Sequence, residues 1–324
     1  MNDRNRRNYK MSALTIFLAI LFGILSYSML NIGLVLEKKA AAELPAVEKH
    51  SFFSNIKNFL TNKVWLFGFL LTSVQWFLFL IALQFGSVSL VTPMMGIGLA
   101  VLVLFSVFFL KEKISIKELA GMVCTIVGVV ILGATSLEET TYSLDELNQR
   151  LGSLEGIIFL GAMAVFMAIF ILFSALRKFA FADIAFGFSG GVASGVGVLF
   201  SKAFSSAIDF SDFKNSFIIA VHHWEWWLYL VLLLAFNILS TALPQVGFQK
   251  GKAIIVSPLF SVSALVTAVI GGVIVYSEWS NLSIGFIIGK IVALVVTITG
   301  IVILSIASLQ QSKRDAEIIN NQNV

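Results

Sequence analysis

Apolar residues fill this chain in blocks of about twenty, separated by short polar stretches, with neither strand alternation nor a one-sided helical stripe. A run of that length crosses the ~30 Å hydrocarbon core of a bilayer as a helix, with every backbone N–H and C=O bonded inside the segment. Nine such spans are predicted: 12–36, 64–86, 88–110, 115–135, 154–176, 183–206, 226–249, 253–276 and 283–308. The longest polar stretches, 37–63, 136–153 and 207–225, are too short for soluble domains. The fold class predicted is an all-α polytopic membrane protein, with residues 1–324 forming one integral membrane domain.

The blocks also repeat. Gln84-Phe85-Gly86 followed by Val91-Thr92-Pro93 returns as Gln249-Lys250-Gly251 followed by Val256-Ser257-Pro258, with Gln, Gly and Pro at the same offsets. Upstream, Gly33 to Lys38 matches Gly197 to Lys202. Downstream, Gly128-Val129-Val130-Ile131-Leu132 matches Gly300-Ile301-Val302-Ile303-Leu304. Span one then pairs with six, two with seven, three with eight and four with nine. Each pair is five crossings apart, so one copy is inverted relative to the other. The first repeat is expected over 11–135, a connecting helix over 154–176, the second repeat over 183–308 and a cytoplasmic tail over 309–324.

Composition agrees with this class. Hydrophobic residues make up 58% of the chain and charged residues 12%, with a mean hydropathy of +0.94, which excludes an ordinary soluble enzyme. The basic start (Arg4, Arg6, Arg7) and Ala40-Ala41-Ala42 suggest a signal peptide. The apolar core from Met11 to Leu36 is too long for one, and a retained helix is expected. The single cysteine, Cys124, permits no intrachain disulfide. Basic residues sit at span ends and bear on orientation rather than on nucleic acid. With the N-terminus outside, fourteen Lys and Arg fall on the cytoplasmic side and seven on the outer side. That favours an outer N-terminus and a cytoplasmic C-terminus, although the basic N-terminal tail argues the other way. A cell membrane is the expected location.

The residues also resemble a known family. A glycine-rich first span ends in Leu36-Glu37-Lys38-Lys39-Ala40, Trp65 and Gly68 follow, then Ala82-Leu83-Gln84-Phe85-Gly86 through Pro93, then Leu110-Lys111-Glu112-Lys113. This is similar to the EamA-like half-repeat of the drug/metabolite transporter superfamily. The lysine-rich close of the first span, nine spans rather than ten, and Val256-Ser257-Pro258 leading to Ser277-Glu278-Trp279 most resemble the NIPA-type magnesium transporters. The resemblance implies alternating-access transport of Mg²⁺ or another divalent cation. The charged segment 43–63 departs from the pattern.

Polar side chains inside spans need a partner or a water-filled cavity. The substrate-path candidates are Asn31, Gln75, Gln84, Asn237, Ser240, Gln245 and Gln249, with Gln75 and Ser240 at equivalent repeat positions. For any one of them, bonding between helices is as good a reading as a place in the site. Gating or helix-break candidates are Glu37, Lys38, Lys202, Pro93 and Pro258. Lys38 and Lys202 are repeat-equivalent and fit either a gate pair or interfacial anchors, and the two prolines fit the first turns of their helices. Lys290 is expected to snorkel to the surface. His222-His223-Trp224-Glu225-Trp226-Trp227 reads as an interfacial aromatic belt, not a metal site.

No Asp or Glu falls near mid-span, so a dehydrated carboxylate cage for Mg²⁺ is not legible and metal ligands are not assignable; a largely hydrated ion held by neutral oxygens remains open. Acidic residues on the expected outer side, such as Glu138, Asp145 and Asp209, would concentrate cations there. No P-loop, serine elbow or zinc motif is present. The chain is therefore expected to be a non-enzymatic carrier or facilitator without a cofactor. Its substrate would be a divalent cation or, alternatively, a small organic solute. The lipid bilayer and that substrate are the expected partners, homodimer formation is left open, and nucleic acid is not expected.

Overall fold

A computed structural model describes residues 13–43, 60–110, 115–136, 142–179, 181–209, 212–250 and 253–322. Among these, all regular structure is helical. In chain order the helices are α1 (Ala13–Glu43), α2 (Lys63–Phe85), α3 (Val88–Val91), α4 (Met94–Leu110), α5 (Ile116–Thr135), α6 (Leu144–Leu151), α7 (Leu154–Leu176), α8 (Ala182–Ser206), α9 (Phe213–His222), α10 (Trp224–Lys250), α11 (Ala253–Ile274) and α12 (Ile284–Gln322). Eight segments are long and apolar enough to cross a membrane, and the apolar part of α11, Pro258–Ile274, is a shorter ninth. All nine expected spans thus have a helical counterpart, and the chain is a multi-pass integral membrane protein.

Polar residues placed just before the apolar runs start several of these helices. The Asn62 side chain accepts the Val64 and Trp65 N–H groups at the start of α2, and Ser153 accepts Gly156 N–H at the start of α7. Ser115 and Glu118 form a reciprocal capping box on α5. Two polar stretches contain amphipathic helices that hydropathy did not separate: α6 lies within 136–153 and α9 within 207–225.

Packing follows the repeat. α1 lies along α2 as α8 lies along α10, and α1 meets α4 as α8 meets α11. α5 and α12 pack on each other through a reciprocal contact. A Cβ on Gly128 would sit 2.2 Å from Thr297 Oγ1, and one on Gly300 would sit 2.3 Å from Thr125 Oγ1. Each threonine hydroxyl bonds back to a carbonyl four residues earlier, Thr125 to Gly121 and Thr297 to Ala293, both at 2.8 Å. The two glycines let backbones approach where any side chain would collide, and the swapped pairing is what a pseudo-two-fold axis produces.

The symmetry is broken in one respect. α8, the most enclosed span, also packs against α2, while the described residues hold no comparably extensive pairing of α10 with α1. One end of the bundle is therefore drawn together. It gathers the C-terminal ends of α2, α5, α8 and α11 with the N-terminal ends of α10 and α12.

Candidate functional site

The polar positions picked out in the sequence occupy several environments. Gln75 Oε1 accepts the Ser26 hydroxyl across the α1–α2 contact at 3.0 Å. Asn31 donates to Tyr27 O in its own helix at 2.7 Å, beside Gly98 of α4, where any Cβ would fall 2.9 Å from Asn31 Nδ2. Gln84 donates through Nε2 to Ile208 O, while its Oε1 is buried with no hydrogen-bond partner among the described residues. On α10, Asn237 bonds back to Leu233 O at 2.8 Å and Ser240 to Asn237 O at 2.9 Å. Asn237 and Gln245 are exposed. Gln75 and Ser240 thus hold equivalent positions but make different bonds. The Gln249, Glu37 and Lys38 side chains lie outside the described residues.

Pro93 immediately precedes Met94 and heads α4, as a first-turn proline does, while Pro258 departs from that reading. Pro93 sits between α3 and α4, where bonds from Met95 N–H to Thr92 O and from Gly96 N–H to Pro93 O tighten the chain. The expected span 88–110 is therefore a broken helix. Pro258 is five residues past Ala253 in α11, beyond the turn in which a missing N–H costs nothing.

The drawn-together end holds the densest polar arrangement, and it centres on Lys202. An interfacial anchor would keep its ammonium in water. Here Lys202 is 0% exposed and donates to the carbonyls of Leu83 and Gly86, the latter at 3.0 Å. Those carbonyls close α2. Two residues on, α3 starts, and Glu278 accepts its Val88 N–H at 2.6 Å and its Ser89 N–H at 3.0 Å. Trp279 Nε1 adds a bond to Ser89 Oγ at 3.2 Å. The break between α2 and α3 is thus held by a cation on its carbonyl side and a carboxylate on its amide side. Each charge complements the helix end it touches, and Glu278 lies within electrostatic reach of Lys202.

The chain is turned back to present Glu278. Ser277 adopts φ 54°, and the Glu278 N–H returns to Gly272 O at 3.2 Å, a left-handed helix stop that usually takes glycine. Gly272 also makes room for the carboxylate, since a Cβ there would meet Glu278 Oε2 at 2.6 Å. Tyr276 donates to Leu199 O at 2.6 Å and its carbonyl accepts Arg150 at 2.5 Å. Tyr142 stacks on Tyr276 with 5.7 Å between ring centroids and lies under the Lys202 ammonium, also at 5.7 Å. Tyr142 and α6, from the connector between the repeats, roof the clamp.

Other readings change as well. Lys290 does not snorkel: it is 0% exposed and donates to Ser136 Oγ at 3.1 Å. Within the aromatic cluster, Trp224 and Trp227 are exposed as a belt requires. Trp226 is buried instead, stacked on Phe204 at 4.6 Å. Among the described residues no group of three or more His, Cys, Asp or Glu could hold a metal ion. Sequence reasoning missed Pro244, inside α10. It also missed Thr92 and Ser189, whose buried hydroxyl oxygens have no hydrogen-bond partner among the described residues. Thr92 stands inside the repeated Val-Thr-Pro motif, which could have flagged it; nothing flagged Ser189.

An all-helical bundle with paired half-structures and a broken helix is the architecture of a polytopic membrane protein. The family model for the magnesium transporter NIPA matches residues 14–308, and the chain belongs to that family. It is similar to a probable magnesium transporter, NIPA9, of Arabidopsis thaliana, at 28% identity over 267 residues, covering 76% of this chain and 70% of the relative. A shorter match joins it to the uncharacterized protein MJ1333.1 of Methanocaldococcus jannaschii, 36% identical over 55 residues, 17% of this chain and 40% of that protein. No solved structure matches the chain.

Proposed function

We propose that this protein carries Mg²⁺ or a similar divalent cation across a cell membrane by alternating access, as a secondary transporter or facilitator and not as an enzyme. The observation that carries the reading is the family match from residue 14 to residue 308, which runs across the apolar helices of the described residues. The two half-structures, 11–135 and 183–308, exchange conformations about the α5–α12 contact, with 154–176 as connector and 309–324 as a cytoplasmic tail. The closed end faces outward and the N-terminus lies on that side. Mg²⁺ releases its waters reluctantly, so the passing ion is largely hydrated and meets neutral oxygens. Asn31, Gln75, Gln84, Asn237, Ser240, Gln245 and Gln249 contribute to the path. Thr92 and Ser189 join them, because a buried hydroxyl left without a partner costs about 1–3 kcal/mol unless water or an ion completes it.

Proteoliposomes loaded with a Mg²⁺-sensitive dye test the reading. Saturable entry, driven by an imposed inside-negative potential and exceeding that of empty vesicles, is expected. Folded, correctly inserted protein that admits no divalent cation would overturn it, and small organic solutes would then be screened by ligand stabilisation.

A further inference from the structure

We infer that Lys202 and Glu278 form a latch that holds this end of the transporter shut by capping, from the second repeat, the two backbone ends exposed where α2 breaks into α3. The inference deepens the proposed transport cycle and rests on alternating access. Lys202 stands on α8 and Glu278 just past α11, both in the second repeat; the carbonyls of Leu83 and Gly86 and the amides of Val88 and Ser89 belong to the first. These four bonds therefore cross between the halves. Separating α2 from α8 must break the Lys202 bonds, and separating α3 from the end of α11 must break those of Glu278. Once separated, the ammonium and carboxylate need water, and the α2 and α3 ends lose the charges that complement them. Closure is thus favoured while the end is dry, and water entry favours release. That gives two discrete states rather than a gradual yield.

The geometry separates this device from an ordinary ion pair. Each charge is bonded to a backbone dipole of fixed sign, so position and sign are both specified. Exchanging the charges, with Lys202→Glu and Glu278→Lys together, preserves any attraction between the two side chains. It also sets a carboxylate on carbonyls and an ammonium on N–H groups.

The test uses maleimide labelling of full-length protein in lipid nanodiscs, where the reagent reaches both faces. The single native cysteine is removed by Cys124→Ala. One reporter is Ser205→Cys, buried on α8 one turn beyond Lys202; the other is Gln245→Cys, exposed towards the far end of α10. With the native latch, Cys at 205 is expected to label slowly and Cys at 245 quickly. Lys202→Met and Glu278→Gln should speed labelling at 205 about tenfold or more and slow it at 245. Glu278→Asp, which keeps the charge and shortens the reach by one methylene, should speed it less and serves where the neutral variants do not fold. The charge exchange should behave like the single variants.

Parent-rate labelling at 205 in all of these variants overturns the latch. Restored protection in the charge exchange also overturns it and leaves a simple ion pair. Faster labelling at both ends assigns the pair to fold stability alone and overturns the latch as a gate. Faster labelling at 205 with no change at 245 upholds the latch, and alternating access is then the reading that falls.

Discussion

Ser277 holds a conformation that L-residues disfavour by about 1–2 kcal/mol, with φ 54°, at the left-handed position that ends α11 and sends the chain back towards α3. Ser277→Gly is expected to relieve that strain and raise thermal stability by roughly 0.5–1 kcal/mol while leaving the bonds from Glu278 in place. Detergent-solubilised protein in a thermal-shift assay would check it, and a lower melting temperature would show that the serine side chain contributes something its backbone does not. The neighbouring charges show what a linear reading of residues can reach. Gly-rich pattern and repeat register flagged Lys202 as a gate candidate, but a lysine at a span end looks the same whether it meets water or carbonyls. Lys290 has the same ambiguity: depth along a helix is legible, while rotation about its axis and the presence of Ser136 on α5 are not. Glu278 enters the sequence reading through the Ser277-Glu278-Trp279 resemblance and without a partner role, because its partners are main-chain amides 189 and 190 residues away.

At the scale of elements, hydropathy located the spans within a few residues, since the bilayer demands length and apolarity whatever the tertiary packing. It could not resolve the interruption at Thr92-Pro93, which leaves the apolar run unbroken. Nor did it find α6, whose Leu147 and Leu151 form one buried stripe within a polar stretch, or α9, of which only Ala220 is buried. α10 carries a further departure from symmetry. Pro244 lies inside it, while the equivalent place in α2, by the repeat register, is Phe79. A proline there removes one ladder bond and bends the helix, and its ring fills the space beside Gly190 of α8, where a Cβ would meet Pro244 Cγ at 2.6 Å. Pro244→Ala is expected to restore that ladder bond and to lower the proposed Mg²⁺ flux severalfold with little loss of folded protein. Flux equal to the parent's at equal insertion would make Pro244 a packing residue only.

For the molecule as a whole, the repeat was legible in the sequence because matched Gln, Gly and Pro positions survive at fixed offsets. The asymmetry between its halves was not, since it lies in which helix ends touch. The α5–α12 seam is the part both halves share. Gly128→Val would drive a branched side chain into Thr297 and the backbone at Ala293, and overpacking of that kind typically costs 1–3 kcal/mol or more. Poor recovery of monodisperse protein is expected, with Gly300→Val showing the same defect because its surroundings are the same by symmetry. A variant at one glycine that folds normally while its counterpart fails would contradict the pseudo-two-fold relation at this seam. The latch has a different consequence, for inheritance. Its receiving side is written in peptide groups, which every residue but proline supplies in full, so Leu83 and Val88 are free to change to other apolar residues of similar volume without touching the bonds. Lys202 and Glu278 have no such freedom. A saturation mutagenesis screen for the proposed Mg²⁺ transport should therefore find two intolerant charged positions with no compensating second-site change at the residues they bind. A survey of paired substitutions would pass over the contact altogether.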